Sequence, residues 1–168
     1  FMYKKYFNTP LEGRLDEQVM LVMDPEKALY PKFYSYQNKY ILPELFKGIQ
    51  YRGGLSMQGA RLVGTGNEIE PAVLEIFERD TLRISVKTRQ ILISQNSITS
   101  LSAKMTLYLE TDTIYHPDII FSYQEKTDVV RLTKSDTYTS ATPYSNSYHK
   151  VSMNFDEFNW KRSSREIF

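Results

Sequence analysis

Two histidines, His116 and His149, are the side chains best suited to acid–base or metal chemistry in this 168-residue chain. His116 lies between Asp112 and Asp118. A zinc or catalytic site needs two or three converging ligands, such as a His pair one helical turn or two strand positions apart, and neither histidine has such a partner. The alternative of a metal-dependent enzyme, in which the fold brings both histidines together with a carboxylate, remains open. The spacing favours histidines whose ring nitrogens bond backbone, hydroxyl or water.

Nucleophilic and hydrolytic chemistry has little support in the sequence. The chain has no Cys, which excludes disulfides, thiolate metal sites and cysteine nucleophiles together. Serines are abundant, but no Gly-x-Ser-x-Gly elbow is present. Glu110 and Asp112 could flank a glycosidic bond from one strand face, although acidic pairs at strand ends are usually solvated turn residues. We therefore expect no catalytic residue, no cofactor and a non-enzymatic protein.

A glycine-rich segment resembles a phosphate-binding loop only in part. The Gly54 to Gly59 spacing opens a P-loop, but Ala60 and Arg61 follow where Lys and Ser or Thr are required. The dinucleotide-binding fingerprint also fails, because Ile69 stands at the position of its third glycine. These glycines are better explained by strand ends at positive φ or by close approach between backbones.

Tyrosine is the unusual residue in the composition, with 13 Tyr against 1 Trp. One cluster holds Tyr30, Phe33, Tyr34, Tyr36 and Tyr40, and another holds Tyr138, Tyr144 and Tyr148. A tyrosine ring with its polar tip suits interfaces, but it also suits half-buried sheet faces. Our candidate binding residues are Tyr34, Tyr36, Tyr144, Tyr148, His116 and His149, and no metal ligand is assigned.

Charge and hydropathy limit the partners of the chain. Lys and Arg number 21 and Asp and Glu number 20, so the net charge of +1 gives no reason to expect nucleic acid. The longest apolar runs, such as 19–23 and 91–93, fall far short of the roughly 18–20 residues that span a bilayer. We expect a protein partner or neighbouring segments of the same chain, with a glycan as the alternative, and no membrane-spanning segment.

The elements that must position these side chains are strands. From Ala72 onward apolar and polar residues alternate with a period of two, and turn residues recur at the roughly 8–12-residue spacing of all-β proteins. The pattern predicts a hairpin over residues 73–86, strand pairs over 91–109 and 119–132, and short strands over 151–155 and 158–160. The fold class is mostly β: antiparallel sheets, or an elongated β stack or sandwich.

The first 50 residues are predicted to be an irregular, mixed lead-in to a strand series over 51–168. Asp24-Pro25-Glu26 and the segment 43–48, which starts with Pro and ends with Gly, each have the sequence of a short helix. The whole chain is expected to be a single β-rich domain. It starts without Met and stops on Ile167-Phe168, which suggests a fragment of a longer protein.

Three short stretches resemble segments of large, uncharacterised envelope proteins of Bacteroidetes bacteria. They are Tyr-Arg-Gly-Gly-Leu-Ser-Met-Gln-Gly at 51–59, Asp-Thr-Ile-Tyr-His-Pro at 112–117 and Pro-Tyr-Ser-Asn-Ser-Tyr-His at 143–149. The resemblance implies a β-rich segment of a longer exported protein, in the periplasm or cell envelope, and carries over no catalytic residue.

The sequence thus favours a non-enzymatic structural or interaction segment of a larger bacterial envelope protein. The first alternative is a carbohydrate-binding domain in which Tyr34, Tyr36 and Tyr144 stack against sugar rings. The second is the metal-dependent enzyme built on His116 and His149.

Overall fold

Fifteen strands make up the regular structure of the residues that the computed structural model describes, which are 10–19, 28–59, 61–135, 142–147, 149–164 and 166–167. The strands are β1 (Gly13–Asp16), β2 (Lys32–Ser35), β3 (Tyr40–Phe46), β4 (Ile49–Gln58), β5 (Arg61–Thr65), β6 (Ala72–Glu78), β7 (Thr81–Thr88), β8 (Gln90–Ile93), β9 (Ser97–Tyr108), β10 (Thr113–Gln124), β11 (Val129–Lys134), β12 (Tyr144–Asn146), β13 (Ser152–Met153), β14 (Glu157–Lys161) and β15 (Glu166–Ile167). These residues contain no helix, so the predicted mostly β fold is confirmed.

All fifteen strands belong to one antiparallel sheet. Short strands lie end to end and flank a longer one: β7 and β8 share one edge of β9, while β10 occupies the other edge. In the same way, β5 and β6 follow one edge of β4, and β2 and β3 follow the other. The sheet is therefore a meander of long strands, several of which are interrupted near the middle.

The interruptions fall next to one another on neighbouring strands. We call this line the crease; it consists of residues 66–71, 89–90, 101–102 and 117–118, which lie where one regularly paired stretch ends and the next begins. Across the crease the alternation of buried positions changes phase, as from Ser100 to Ala103 and from His116 to Ile119. Extra residues of this kind bend a strand and increase its twist.

Inward-facing side chains from both halves of the meander form one core. The ring centroids of Phe46 on β3 and Tyr123 on β10 lie 5.6 Å apart, although several strands separate them within the sheet. Arg162 closes the same end: its Nη2 donates to Lys47 O at 2.8 Å, and its Nη1 donates to Asp128 Oδ1 at 3.2 Å. The sheet therefore curls so that its two halves pack against each other.

The hairpins predicted from alternation are confirmed. β6 pairs with β7, β8 with β9, and β10 with β11, all antiparallel. At the β6–β7 turn, Arg79 and Asp80 have φ values of 47° and 65°. Both residues thus take the left-handed conformation that a two-residue type I′ hairpin turn requires.

The second helix predicted near the N-terminus is wrong. Residues 40–46 form strand β3, and the Lys47-Gly48 turn leads into β4. β3 pairs with β4 alone among the described strands, and its pairing is shifted between Leu42 and Phe46, so the missing N–H of Pro43 removes no regular ladder bond. Gly48, with φ of 68°, makes the turn rather than a helix stop.

The rest of the N-terminal prediction is only partly covered. Asp24-Pro25-Glu26 lies outside the described residues. Within residues 10–50 the structure contains β1, β2, β3 and the start of β4, so regular sheet begins well before the strand series predicted from residue 51.

Candidate functional site

His116 lies on the inner face of β10 and is fully buried. Its Nε2 is 2.9 Å from Thr142 O, which can only accept a hydrogen bond. Its Nδ1 is 3.2 Å from the backbone N–H of Asp118, which can only donate. Both contacts are satisfied together by a neutral ring with its proton on Nε2. The histidine therefore ties β10 to the segment before β12 through backbone groups, as the isolated spacing of the two histidines favoured.

Tyr144 does not present a stacking surface, which corrects its selection as a binding residue. Its side chain is fully buried; its ring stacks on Phe155 with centroids 4.0 Å apart and lies 4.4 Å from the His116 ring. Lys134 Nζ is 5.9 Å from the ring centroid. Pairing of β12 with β10 and with β13 brings Tyr144 into the core.

His149 lies on the surface and not with His116 and Tyr144 in the core. His149 is exposed in the turn before β13, where its backbone N–H donates to Asn146 Oδ1 at 2.8 Å. Tyr148 lies outside the described residues. Asp112 accepts a hydrogen bond from Ser147 Oγ at 2.6 Å, and Asp118 accepts one from Ser102 Oγ at the same distance. Within the described ranges no group of three or more His, Asp or Glu side chains is placed to hold a metal ion.

Three buried tyrosines have pKa values raised above the ordinary value of tyrosine. Burial raises the pKa of Tyr144 to about 12, and the nearby Asp156 carboxylate adds to the effect. Burial also raises the pKa of Tyr123 to about 12, with a further contribution from Asp128. Burial raises the pKa of Tyr51 as well; its hydroxyl donates to Gly54 O at 2.5 Å.

We predict that these tyrosines make the fold sensitive to alkali. Tyrosine in the unfolded chain has a pKa of about 10. A buried tyrosine whose pKa is raised to about 12 therefore makes its full contribution to the free energy of unfolding below pH 10, and this contribution is lost as pH rises toward 12. The free energy of unfolding, measured by urea titration across this range, should fall while tyrosinate absorbance rises with it. Tyr144→Phe should remove part of the pH dependence. A free energy of unfolding that stays constant between pH 10 and 12 would contradict this.

The glycines of the central segment serve close packing, which confirms the structural interpretation of that segment. Gly54 lies within β4, and Gly59 makes the turn after it with φ of 57°. Gly64 faces the core, where an added Cβ would lie 2.6 Å from the Tyr51 ring and 2.5 Å from Ile91. No strand-to-helix loop of the kind that holds phosphates is formed by these described residues.

Tyr34 and Tyr36 remain on the surface, as a contact role requires. They are 48% and 73% exposed and lie at the end of β2. Arg14 on β1 is the cross-strand partner of Tyr34. Asp16 accepts a hydrogen bond from Arg14 Nε at 2.9 Å, and this bond raises the pKa of Arg14. The result is an exposed aromatic pair beside the Arg14–Asp16 ion pair.

Tyr34 also begins a row of side chains that crosses the outer face of the sheet. Register pairs Tyr34 with Ser56, Ser56 with Val63, and Val63 with Leu92, on strands β2, β4, β5 and β8. We call these four residues the apolar row, in which Tyr34, Val63 and Leu92 are apolar and Ser56 is a small polar residue. Leu92 is exposed, and Val63 and Ser56 are partly exposed. The sequence did not reveal this row, because it depends on pairing between strands that are distant along the chain.

A pocket of about 280 Å³ lies near the same edge of the molecule and is lined by Glu17, Gln18, Val19, Tyr30 and Pro31. Lys32 Nζ lies 4.8 Å from the centroid of the Tyr30 ring. None of the five selected residues that the structure describes lines the pocket. Its one carboxylate, from Glu17, has no second carboxylate, histidine or lysine among the lining residues.

Comparison of the chain with protein-family models, with curated proteins and with solved structures found no match in any of the three. The described part of the chain contains no helix of the length and apolarity needed to cross a bilayer.

Proposed function

We propose that the chain is a non-enzymatic interaction domain that contacts a protein partner through the outer face of its sheet at Tyr34 and Tyr36. The resemblance of its three short stretches to envelope-protein segments supports a place within a larger exported protein of bacteria. The carbohydrate-binding alternative keeps Tyr34 and Tyr36 but loses Tyr144, which is buried.

One observation carries this proposal: the selected side chains divide by burial. His116 and Tyr144 lie in the core, and backbone groups satisfy both ring nitrogens of His116. Tyr34 and Tyr36 are exposed together, and Tyr34 is the first residue of the apolar row, whose aliphatic members Val63 and Leu92 lie two and three strands away. Exposed aromatic groups that adjoin other apolar side chains are typical of protein contact surfaces.

Site-specific photo-crosslinking in the native cells tests the proposal. A photoreactive phenylalanine analogue at position 36 should give one discrete cross-linked protein species. The same analogue at Tyr115, which is also exposed but lies on β10, is the matched control and should give none. Equal adducts from both positions, or none from position 36, would contradict the proposed surface.

Replacing both Tyr34 and Tyr36 tests whether these side chains bind a partner or are needed for folding. Tyr34→Ser with Tyr36→Ser should abolish the adduct from a photoreactive group at position 14 while changing the free energy of unfolding by less than about 1 kcal/mol, since both side chains are exposed. A glycan array tests the carbohydrate-binding alternative. A sugar that binds the native chain but not the same double variant would show that the surface binds a glycan and not a protein.

A further inference from the structure

Three cationic side chains lie in one row across the outer face of the sheet. Register pairs Arg52 on β4 with Val73 on β6, Val73 with Lys87 on β7, and Lys87 with Lys104 on β9. We call these four residues the basic row. Arg52, Lys87 and Lys104 are exposed. Neighbouring strands are about 4.8 Å apart, so the row is about 14 Å long.

The three cations have no anionic partner among the described residues. The salt bridges within those ranges involve other arginines and lysines. Glu75, two positions along β6 from Val73, makes no salt bridge with any of them, and Asp118 is bonded to Ser102. The outer face thus concentrates positive charge at this place, although the whole chain has a net charge of only +1.

Lys87 and Lys104 are directly opposed on adjacent strands, which is an unfavourable arrangement in a free sheet. An opposite charge at either position would have supported the pairing instead. Local rules broken without compensation tend to mark functional positions. A binding partner that carries negative charge would supply the missing compensation.

We propose that the basic row binds an acidic, extended segment of a protein partner; the proposal rests on the interaction function above and specifies the chemistry of its partner. Acidic side chains at alternate positions of an extended chain project to one side about 6.7 Å apart, so three of them span about 13 Å. This length matches the basic row. Arg52 offers the planar fork that pairs with carboxylates.

The neighbouring side chains favour a protein over an acidic glycan. The apolar row lies on the same face, with Ser56 four residues along β4 from Arg52, which is about 13 Å. Val63 and Leu92 in that row are aliphatic, as is Ile41, the cross-strand partner of Arg52, whereas Ser56 contributes a single hydroxyl. Aliphatic groups contact apolar side chains well, but they offer sugar hydroxyls no hydrogen bond.

Fluorescence anisotropy with the intact chain tests the proposal. The probe is a short labelled peptide in which Glu alternates with Leu and Ser, and the same peptide with Gln in place of Glu is the control probe. The Glu peptide should bind at least about tenfold more tightly than the Gln peptide. Raising salt from about 0.1 M to about 1 M, where the screening length falls from about 10 Å to about 3 Å, should weaken binding strongly.

Charge reversal locates the site. The triple variant Arg52→Glu, Lys87→Glu and Lys104→Glu should lose about tenfold or more in affinity, while Lys126→Glu, at a lysine that is also exposed but lies in the β10–β11 turn, should change it by less than about twofold. If the charge-reversed variant fails to fold, Gln at the same three positions removes the charges without reversing them. Circular dichroism then confirms that the variant retains its sheet.

Several outcomes would overturn the inference. They are the absence of binding to the Glu peptide, unchanged affinity in the folded triple variant, or displacement of the peptide by polygalacturonate at equal carboxylate concentration, which would assign the row to a glycan. Cross-linking from position 36 can succeed while the peptide fails to bind. In that case the acidic partner is wrong and the contact surface stands.

Discussion

Tyr144→Phe is expected to leave the free energy of unfolding unchanged or to raise it by about 1 kcal/mol, whereas Tyr144→Ala should lower it by about 3–5 kcal/mol. The ring is fully buried and stacks on Phe155, so its removal leaves a cavity. The hydroxyl is buried without a hydrogen-bond partner among the described residues. Its loss therefore removes a desolvated polar group and no bond. Urea unfolding of the two variants measures both values.

The matched control is the same pair of substitutions at Tyr36, which is 73% exposed. Tyr36→Phe and Tyr36→Ala should each change the free energy of unfolding by no more than about 0.5 kcal/mol. A loss above about 1 kcal/mol in Tyr144→Phe would mean that the hydroxyl has a partner in the fold. If Tyr144→Ala left the free energy of unfolding unchanged, the ring of Tyr144 would be exposed, and Tyr144 would again be a candidate for stacking against a sugar.

The hairpins were predictable because their signals are local. Leu82, Ile84 and Val86 alternate with polar residues, and the Arg79-Asp80 pair interrupts two apolar runs. A period of two and a polar turn are sufficient to predict two adjacent antiparallel strands. The helix predicted from Pro43 to Gly48 was wrong for the same reason, because proline and glycine also occur in an edge strand that is followed by a turn.

The candidate site was less predictable, because burial is a property of long-range pairing. Tyr34 and Tyr144 are the same residue in similar aromatic surroundings, yet the first faces outward on β2 and the second faces the core on β12. Nothing within a few residues of either tyrosine distinguishes them. The apolar and basic rows each join four strands, so they emerge only from the register of the whole sheet.

The crease left one signal in the sequence. Thr88 and Ser100 stand at inward-facing positions among Ile, Val and Met, and both are buried. Thr88 Oγ1 is 2.8 Å from Ser102 O, and Ser100 Oγ is 2.9 Å from Gln90 O. These two carbonyls belong to the residues at which the strands lose their regular alternation. A buried hydroxyl on an apolar strand face therefore indicates a bulge whose backbone needs a donor.

Thr88→Val and Ser100→Ala should each lower the free energy of unfolding by about 1–2 kcal/mol, and the double variant by about 2–4 kcal/mol. Each hydroxyl carries one hydrogen, so the two together can serve both carbonyls, and a single survivor can serve only one.

Thr99→Val on the outer face of β9 is the matched control, because the structure gives the Thr99 hydroxyl no hydrogen bond to a described residue, and it should change stability by less than about 0.5 kcal/mol. Equal stability of the double variant and the native chain in urea would show that the crease is held by packing alone. A measured loss would show that two buried hydroxyls stabilise the crease, on either side of which the apolar and basic rows lie.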